Sequence, residues 1–413
     1  MIFSSSENAE CLCHSSHTNQ VIIDLDSNFI IYAQPLTEVN SLLKSKMMHV
    51  RGKTKPFSMF FKVTHIFGNY SDEEEEQDDQ EGFINLKSPQ DVKISYSLGL
   101  ILISDTFNDC IQIFHLHSKM HLTCINSLML QMKQPSVMCI EEEVNDDKNC
   151  STFCHLIVSS IKNGQKGVYK YDLTTLLSSA RNYEQVESRK KRTKSTNTKQ
   201  SFLWKASSTS NLGGIALLKK DVLKNSNVAA TYNYIYVCDT NRDNIHILNS
   251  TSGQIIQSIS VKFPLSVTFT QSNYLNEIQS DSPLSMLVLS DKKIERFEMV
   301  MTQSKNGSKS FEEHDVEWKK IMSFDAFPTR YYFHSTCIVY DPLMKCVIFG
   351  NTQIRIFNLQ GNCEKSSDNF KMLSEHGDVL LGPFEWIHGM VLNELSGELL
   401  VCDLGNKLVL VLE

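Results

Sequence analysis

The sequence contains no run of about 18 apolar residues, so nothing in it predicts a helix that spans a membrane. Its first residues, MIFSSSENAECLCHSSHTNQ, have neither the basic start nor the apolar core of a secretory signal. The formal net charge of −7 provides no general attraction to nucleic acid. We therefore expect a cytoplasmic protein, with entry into the nucleus through the basic residues 189–194 as an alternative.

The cysteines also lack an arrangement that predicts disulfides. The 12 cysteines are scattered, and several stand inside apolar segments, namely Cys139, Cys238, Cys337 and Cys402. This placement is typical of reduced thiols that act as small buried hydrophobic side chains. With 413 residues, of which 41% are hydrophobic and 21% charged, the chain is long enough for a repeat array or for two globular domains.

One form of sequence recurs along the chain. In LILISDTFNDCIQIF, residues 100–114, an apolar segment ends in an acidic residue, a short polar turn follows, and a second apolar segment returns. YIYVCDTNRDNIHIL at 234–248 and ELLVCDLGNKLVLVL at 398–412 share this form. Short apolar segments with tight polar turns between them predict antiparallel strands, and a copied unit predicts a repeat architecture.

Weaker copies lie at 135–173, 264–300 and 334–359, so the unit occurs six times. One more strand-like segment follows each of the first five copies, in the order HLTCINSLML, FLWKAS, GQIIQSISV, VEWKKIMSF and NFKMLSE. Antiparallel units of four strands that repeat around an axis form a β-propeller, in which neighbouring sheets cover each other's faces. The sequence therefore predicts an all-β fold, a six-bladed β-propeller.

The last copy has only three strands, so we expect SMFFKVTHIFG, residues 58–68, to provide the fourth and to close the ring. Residues 1–55 are predicted to be an N-terminal extension, and 56–413 the propeller, with inserts at 71–80 and 175–200. Because VIIDLDSNFIIYA at 21–33 has the pattern of a strand pair, a seventh blade is the alternative.

The first copy resembles the NHL repeat, whose pattern is roughly F-G…G-F…P-x-G-V-A…G-x-I-Y-V-A-D-x-x-N-x-R-I-Q-V-F. The matching residues are Phe67, Gly68, Gly82, Phe83, Pro89, Val92, Gly99, Asp105, Asn108, Ile111 and Phe114. The sequence departs from the pattern at Asp91, where the pattern has glycine, and at Cys110, where it has arginine. The copy at 387–412 keeps Gly389, Asp403 and Asn406. The resemblance implies an NHL-like propeller.

The repeated aspartate and asparagine have a structural interpretation. An aspartate followed by a turn asparagine can accept hydrogen bonds from backbone N–H groups, and a structural role explains why the pair recurs. The inserts differ in charge. The acidic SDEEEEQDDQ at 71–80 is predicted to be a solvated loop, with a site for a basic partner as the alternative. The basic ESRKKRTKSTNTK at 187–199 is predicted to be a disordered insert, with a nuclear localisation or nucleic-acid segment as the alternative.

Two histidines break the symmetry of the repeat. When the turns before each blade are aligned on P-x-G-V, the x position is occupied by Gln90, Ser136, Gly213, Leu265, His334 and His388. Peptidyl-α-hydroxyglycine amidating lyases, which resemble NHL propellers, hold zinc with histidines at such turns. A catalytic zinc takes three protein ligands, and this ring contains two histidines. We therefore predict no metal or other cofactor, and His334 with His388 as the metal ligands in the alternative.

Aromatic and basic residues cluster at the same predicted end of the blades, as expected for a protein interface. The predicted binding residues of this channel face are Phe107, Asn108, Arg242, Tyr332, His334, Trp386 and His388. We predict no catalytic residues and a non-catalytic scaffold that binds a protein or peptide partner, with no sign of an oligomer. The alternatives are a propeller that binds single-stranded RNA and a metal-dependent lyase or hydrolase.

Overall fold

The chain divides into two compact units, Met1–His49 and Val50–Glu413. The computed structural model describes residues 22–23, 30–31, 55–69, 84–142, 153–162, 165–188, 202–207, 211–225, 230–271, 284–301, 316–326, 337–367, 372–373, 379–381 and 383–413. The acidic segment 71–80, most of the basic segment 187–199, Tyr332 and His334 lie outside these residues. In the first unit, Ile22–Ile23 pairs antiparallel with Ile30–Ile31 as a sheet of its own.

The second unit contains six antiparallel sheets of four strands each, numbered here as blades 1 to 6. The first strands are Pro89–Ser95, Met138–Glu142, Leu212–Leu218, Pro264–Phe269, Cys337–Asp341 and Ile387–Asn393. The second strands are Leu100–Asp105, Cys154–Lys162, Tyr234–Asp239, Ser285–Ser290, Cys346–Gly350 and Glu398–Asp403. Most second strands are buried along their whole length, as expected for strands covered on both faces by neighbouring blades.

The outer half of each blade is formed by its third and fourth strands. The third strands are Cys110–His115, Gln165–Asp172, Asn244–Asn249, Lys293–Met301, Ile354–Asn358 and Leu408–Leu412. The fourth strands are His121–Asn126, Trp204–Ser207, Ile255–Ser260, Val316–Asp325, Cys363–Ser366 and Val63–Phe67. Each first strand contacts the first strands of both neighbouring blades, and blade 6 contacts blade 1. The six-bladed β-propeller predicted from the sequence is confirmed.

Blade 6 combines strands from both ends of the second unit. Its fourth strand, Val63–Phe67, pairs antiparallel with Leu408–Leu412. The backbone N–H of Lys62 donates to the carbonyl of Glu413 at 2.9 Å, and the N–H of Glu413 donates back at 2.8 Å. The predicted closure by residues 58–68 is therefore confirmed. It pairs an edge that would otherwise remain open in the third strand of blade 6.

The predicted fourth strand of blade 5 is wrong. The sequence favoured NFKMLSE at 369–375, whereas the fourth strand is Cys363–Ser366, and Met372–Leu373 pairs with Val379–Leu381 in a separate sheet. The chain reverses directly after the third strand because Gly361 has a φ of 86° and donates its N–H to Asn358. This short strand was not recognised from the sequence because the charged residues Glu364 and Lys365 interrupt its apolar pattern.

Among the described residues, three α-helices stand between strands, at Ser127–Leu130, Leu173–Ser188 and Lys220–Asn225. The longest, Leu173–Ser188, extends into the predicted insert 175–200, for which no helix was predicted from the sequence. Its Leu173, Leu176 and Ala180 are fully buried and belong to the hydrophobic core formed by blades 1 and 2. In the part of the chain that the structure describes, no helix is long and apolar enough to cross a membrane.

Three histidines lie near the seam between blades 6 and 1. His65 stands in the fourth strand of blade 6, and His115 and His117 stand at the end of the third strand of blade 1. Lys119 of blade 1 and Glu398 of blade 6 form a salt bridge of 3.0 Å across the seam. Partial burial lowers the pKa of all three imidazoles, and the positive charge of Lys119 lowers each pKa further.

We expect the propeller to lose stability as the pH falls from about 8 to about 5.5. A histidine whose pKa is lowered by folding binds a proton more readily in the unfolded chain. Its stabilising contribution is therefore complete above the ordinary pKa of about 6.5 and is lost as the pH falls below that value. Chemical denaturation at the two pH values measures the change. The loss should shrink when His65, His115 and His117 are all replaced by Gln, and an unchanged loss would place its origin elsewhere.

Candidate functional site

The strand register places two kinds of turn at one end of the propeller. The first residues of a first strand pair with the last residue of the second strand, as in Pro89 with Asp105 and Ile387 with Asp403. The turns that lead into the first strands and the turns between second and third strands therefore lie at the same end, which we call the mouth face. The predicted binding residues belong to these two kinds of turn.

The repeated aspartates hold the leading turns in place. Asp105 is fully buried, and its Oδ1 accepts hydrogen bonds from the backbone N–H groups of Lys87 at 3.1 Å and Ser88 at 2.9 Å. The side-chain amide of Asn108 donates to Asp105 Oδ2 at 2.6 Å and to the carbonyl of Asn85 at 3.0 Å. The predicted structural role of this pair is thus present in blade 1, and we call the arrangement the aspartate latch.

Blade 6 has the same latch. Asp403 Oδ1 accepts from the N–H groups of Glu385 at 3.2 Å and Trp386 at 3.0 Å, and Asn406 donates to its Oδ2 at 2.7 Å. Burial raises the pKa of Asp403, although these hydrogen bonds oppose the increase. In blade 3, the aspartate Asp239 lies 3.4 Å from His246 Nε2 and 3.7 Å from Arg242.

The x residue of the leading turn is a β-bulge. Register shifts interrupt the pairing of the first and second strands at Gln90, at Gly213 with Gly214, at Leu265 and at His388. A bulged residue leaves the ladder and can turn its side chain in a new direction. This feature explains why the x positions can differ in residue type from blade to blade.

These bulges surround one cavity of about 690 Å³, which the six first strands enclose. Of the six x residues predicted from the sequence, five line this cavity, namely Gln90, Ser136, Gly213, Leu265 and His388. His334 lies outside the described residues. Lys166, Asn211 and Asn241 also line the cavity, and the side chain of Lys166 donates to Asn211.

The first strands approach each other so closely that some positions have room only for glycine. A Cβ atom on Gly389 would lie 2.6 Å from the carbonyl oxygen of Gln90 and 2.7 Å from Asp91 Cα. In blade 3 the pattern glycine is Gly214, and a Cβ atom on it would lie 2.9 Å from Ser266 Cα in blade 4. The glycine of the repeat pattern therefore serves contact between blades.

Asp91 replaces this glycine in blade 1 and connects two blades. Its Oδ2 accepts from the N–H of Met138 in blade 2 at 2.7 Å, and its Oδ1 accepts from the N–H of Val92 at 2.9 Å. Lys93 Nζ lies 2.5 Å from the same Oδ1. Asp91 and Lys93 both line the cavity, so a partly buried ion pair forms part of its wall.

His388 is a neutral hydrogen-bonding group in the cavity wall. Burial lowers its pKa, and the negative charge of Asp91 only partly opposes this effect. The Nδ1 atom lies 2.9 Å from the carbonyl oxygen of Gln90. Because a carbonyl oxygen can only accept, Nδ1 carries the proton and Nε2 is left as an acceptor.

Metal-binding histidines often have this arrangement, with one nitrogen donating to a carbonyl. Within the described residues, however, no group of three histidine, cysteine, aspartate or glutamate side chains is placed to hold a metal ion. The second predicted ligand, His334, is not among those residues.

The thiols of the cavity are poor nucleophiles. Cys139 and Cys337 line the wall, and burial raises the pKa of both well above the usual value for cysteine. Covalent catalysis by cysteine requires the thiolate, which is scarce at such a pKa. These two residues act as small apolar side chains, in agreement with the sequence interpretation.

The other described candidates lie outside the cavity wall. Phe107, on the turn of blade 1, is 69% exposed. Asn108 is held by the aspartate latch, and the half-exposed Arg242 lies beside Asp239. The indole N–H of Trp386 is buried and takes no hydrogen-bond acceptor among the described residues. The structure thus places His388 in the cavity and Phe107, Asn108, Arg242 and Trp386 around the mouth face.

Lys93 is a cavity residue that was not predicted from the sequence. In DVKIS, residues 91–95, the alternation of a strand puts Asp91 and Lys93 on the same side. Two opposite charges two residues apart in a strand of a buried ring were the available signal. The departure of Asp91 from the repeat pattern was noted, but its partners depend on blade packing.

Comparison with known proteins supports the fold and no narrower assignment. No family profile matches the chain, and no curated protein is similar to it in sequence. An auxiliary nutrient binding protein from Bacteroides ovatus matches with a TM-score of 0.50 at 8% identity, over 85% of this chain and 76% of that protein. A functionally unknown protein from Desulfotomaculum acetoxidans matches with a TM-score of 0.40 at 13% identity, over 78% and 81% of the two chains.

Proposed function

We propose that this propeller is a non-catalytic scaffold that binds a protein or peptide partner through its mouth face. The observation that carries the proposal is the cavity of about 690 Å³ that opens among the leading turns. Its wall combines apolar side chains such as Phe263 and Leu265 with neutral polar ones such as Gln90 and Ser136. A concave surface that mixes apolar and polar groups suits affinity and specificity for a peptide.

The exposed Phe107 supports the same assignment. It stands on the mouth face, on a short turn that contains the buried Thr106, and Thr106 Oγ1 donates to the carbonyl of Pro135 at 2.7 Å. A large aromatic side chain on a firmly held turn is the kind of residue that contributes most to protein interfaces. The NHL-like pattern of blade 1 is consistent with a binding role.

We expect Phe107→Ala to weaken peptide binding by about 2 kcal/mol, which is about 30-fold. Random peptides are selected on the immobilised wild-type protein, and the dissociation constants of the selected peptides are measured by fluorescence polarisation. Phe60→Ala is the matched control, because Phe60 is 79% exposed and precedes the fourth strand of blade 6, away from the mouth face. Equal losses in both variants, or no peptide selected, would contradict the proposal.

The same protein preparation separates the two alternatives. A single-stranded RNA ligand would bind more weakly with rising salt, because its affinity depends on counterion release. A metal-dependent lyase or hydrolase would contain stoichiometric zinc that disappears in His388→Ala. Either result would replace the scaffold proposal by the corresponding alternative.

A further inference from the structure

The ammonium group of Lys93 belongs to the cavity wall, at a deeper level than the mouth face. Lys93 lines the cavity with 22% of its side chain exposed. Its Nζ donates to Asp91 Oδ1 at 2.5 Å and to the carbonyl oxygen of Val92 at 3.1 Å. An ammonium group has three N–H donors, and the third takes no acceptor among the described residues.

Asp91 neutralises this cation only in part. Its carboxylate also accepts hydrogen bonds from the backbone N–H groups of Val92 and Met138, which share its negative charge. The Asp91 side chain is 6% exposed, against 22% for Lys93. The ammonium group is therefore the more accessible charge of the pair.

The wall around Lys93 is uncharged at the same depth. Lys93 pairs with Leu102 of the second strand, and the residues at the same register position in blades 3, 4 and 6 are Ala216, Thr268 and Val391. All three line the cavity. In such surroundings a charge interacts with a ligand more strongly than it would in bulk water.

The other charged side chains that line the cavity do not lie at the depth of Lys93. Lys166 directs its ammonium group to Asn211, next to the leading turn of blade 3. Glu394 follows the first strand of blade 6 and belongs to the end of the cavity opposite the mouth. Gln90, Ser136 and His388, between Lys93 and the mouth, are neutral.

We infer that Lys93 is the anchor of a carboxylate subsite, which accepts the C-terminal carboxylate of a peptide that enters the channel from the mouth face. This inference rests on the proposed peptide-binding function. The third N–H of Lys93 would donate to a carboxylate oxygen. A chain end can reach this depth with one strand of peptide, whereas an internal acidic residue requires room in the cavity for the peptide on both sides of that residue.

The test compares two pools of random peptides, one with free C-terminal carboxyl groups and one with amidated C-termini. Peptides selected by the wild-type propeller are measured in both forms. We expect the free acid to bind about 10- to 100-fold more tightly than the amide, as expected for a hydrogen bond between charged groups. In Lys93→Met this preference should disappear. In the matched control Lys166→Met, which removes another lysine of the cavity, the preference should remain.

The possible results distinguish a failure of the carboxylate subsite from a failure of the proposed peptide-binding function. Equal affinities of acid and amide for the wild-type protein would overturn the carboxylate subsite and leave the scaffold function in place. No binding by either pool would overturn both. A preference for Asp or Glu side chains in amidated peptides, lost in Lys93→Met, would overturn the assignment to the chain end. The comparison in the wild-type protein holds even where Lys93→Met fails to fold.

Discussion

Replacing Lys170 by Met is expected to lower the free energy of unfolding by about 3–5 kcal/mol, the usual cost of removing one partner of a buried ion pair. Lys170 is 4% exposed, forms an ion pair with Glu141 inside blade 2, and donates to the carbonyl of Ser250 in blade 3 at 2.8 Å. Without the ammonium group, the Glu141 carboxylate stays buried with His155, Asn233 and Ser250 as neighbours and no fixed positive charge beside it. Urea denaturation followed by fluorescence measures the loss.

The pKa of Glu141 predicts how this contribution varies with pH. Burial raises the pKa, but the hydrogen bond from His155 and the charge of Lys170 outweigh burial and lower the pKa to about 2. A carboxylate with a lowered pKa stabilises the folded state above its unfolded pKa of about 4.3, and the contribution is lost as the pH falls toward 2. The difference between wild type and Lys170→Met should therefore shrink in acid.

An exposed ion pair provides the matched control. Lys320 lies 2.6 Å from Glu295, but its side chain is 47% exposed, so Lys320→Met should cost less than about 1 kcal/mol. The double variant Lys170→Met/Glu141→Leu should recover part of the loss, because it removes the unpaired charge. If Lys170→Met costs no more than Lys320→Met, the buried Lys170 ammonium group does not stabilise blade 2 or its contact with blade 3.

The sequence predicts the propeller because each blade repeats apolar strands and polar turns, and neighbouring blades bury both faces. The copies that match the repeat pattern are blades 1, 3 and 6, and these have an aspartate at the end of the second strand. Blade 4 has Ser290 and blade 5 has Gly350 at that position. The repeat motif therefore describes the residues that hold the leading turn, whereas the fold depends on the pattern of apolar strands and polar turns.

Contacts between blades could not be predicted in the same way. Asn233 lies 92 residues from Glu141 in the chain, yet its amide donates to Glu141 Oε1 at 2.8 Å. Their meeting depends on the angle at which blade 3 packs on blade 2, which no local pattern encodes. The x residues were predictable, because a bulge repeats at one register position in blades 1, 3, 4 and 6. Lys93 was predictable only in part. Its strand was recognised from the sequence, but the contacts of Asp91, with which Lys93 forms an ion pair, were not.

The aspartate latch should also have a large effect on stability. Asp403→Ala is expected to lower the free energy of unfolding by about 3 kcal/mol, because it leaves two backbone N–H groups and the amide of Asn406 without their acceptor. These groups are the N–H of Glu385, the N–H of Trp386 and Asn406 Nδ2. Asn406→Ala, which leaves both backbone hydrogen bonds in place, should cost about 1 kcal/mol.

The consequence for the cavity follows from the position of the latch. Trp386 stands two residues before His388, so loosening the turn frees the bulge that carries His388 into the cavity wall. Hydrogen exchange should show faster exchange at Glu385 and Trp386 in Asp403→Ala, while Ser88 of blade 1, held by Asp105, stays protected. Faster exchange in both blades would mean that the variant opens the whole ring. A loss below about 1 kcal/mol would remove the stabilising role of the latch.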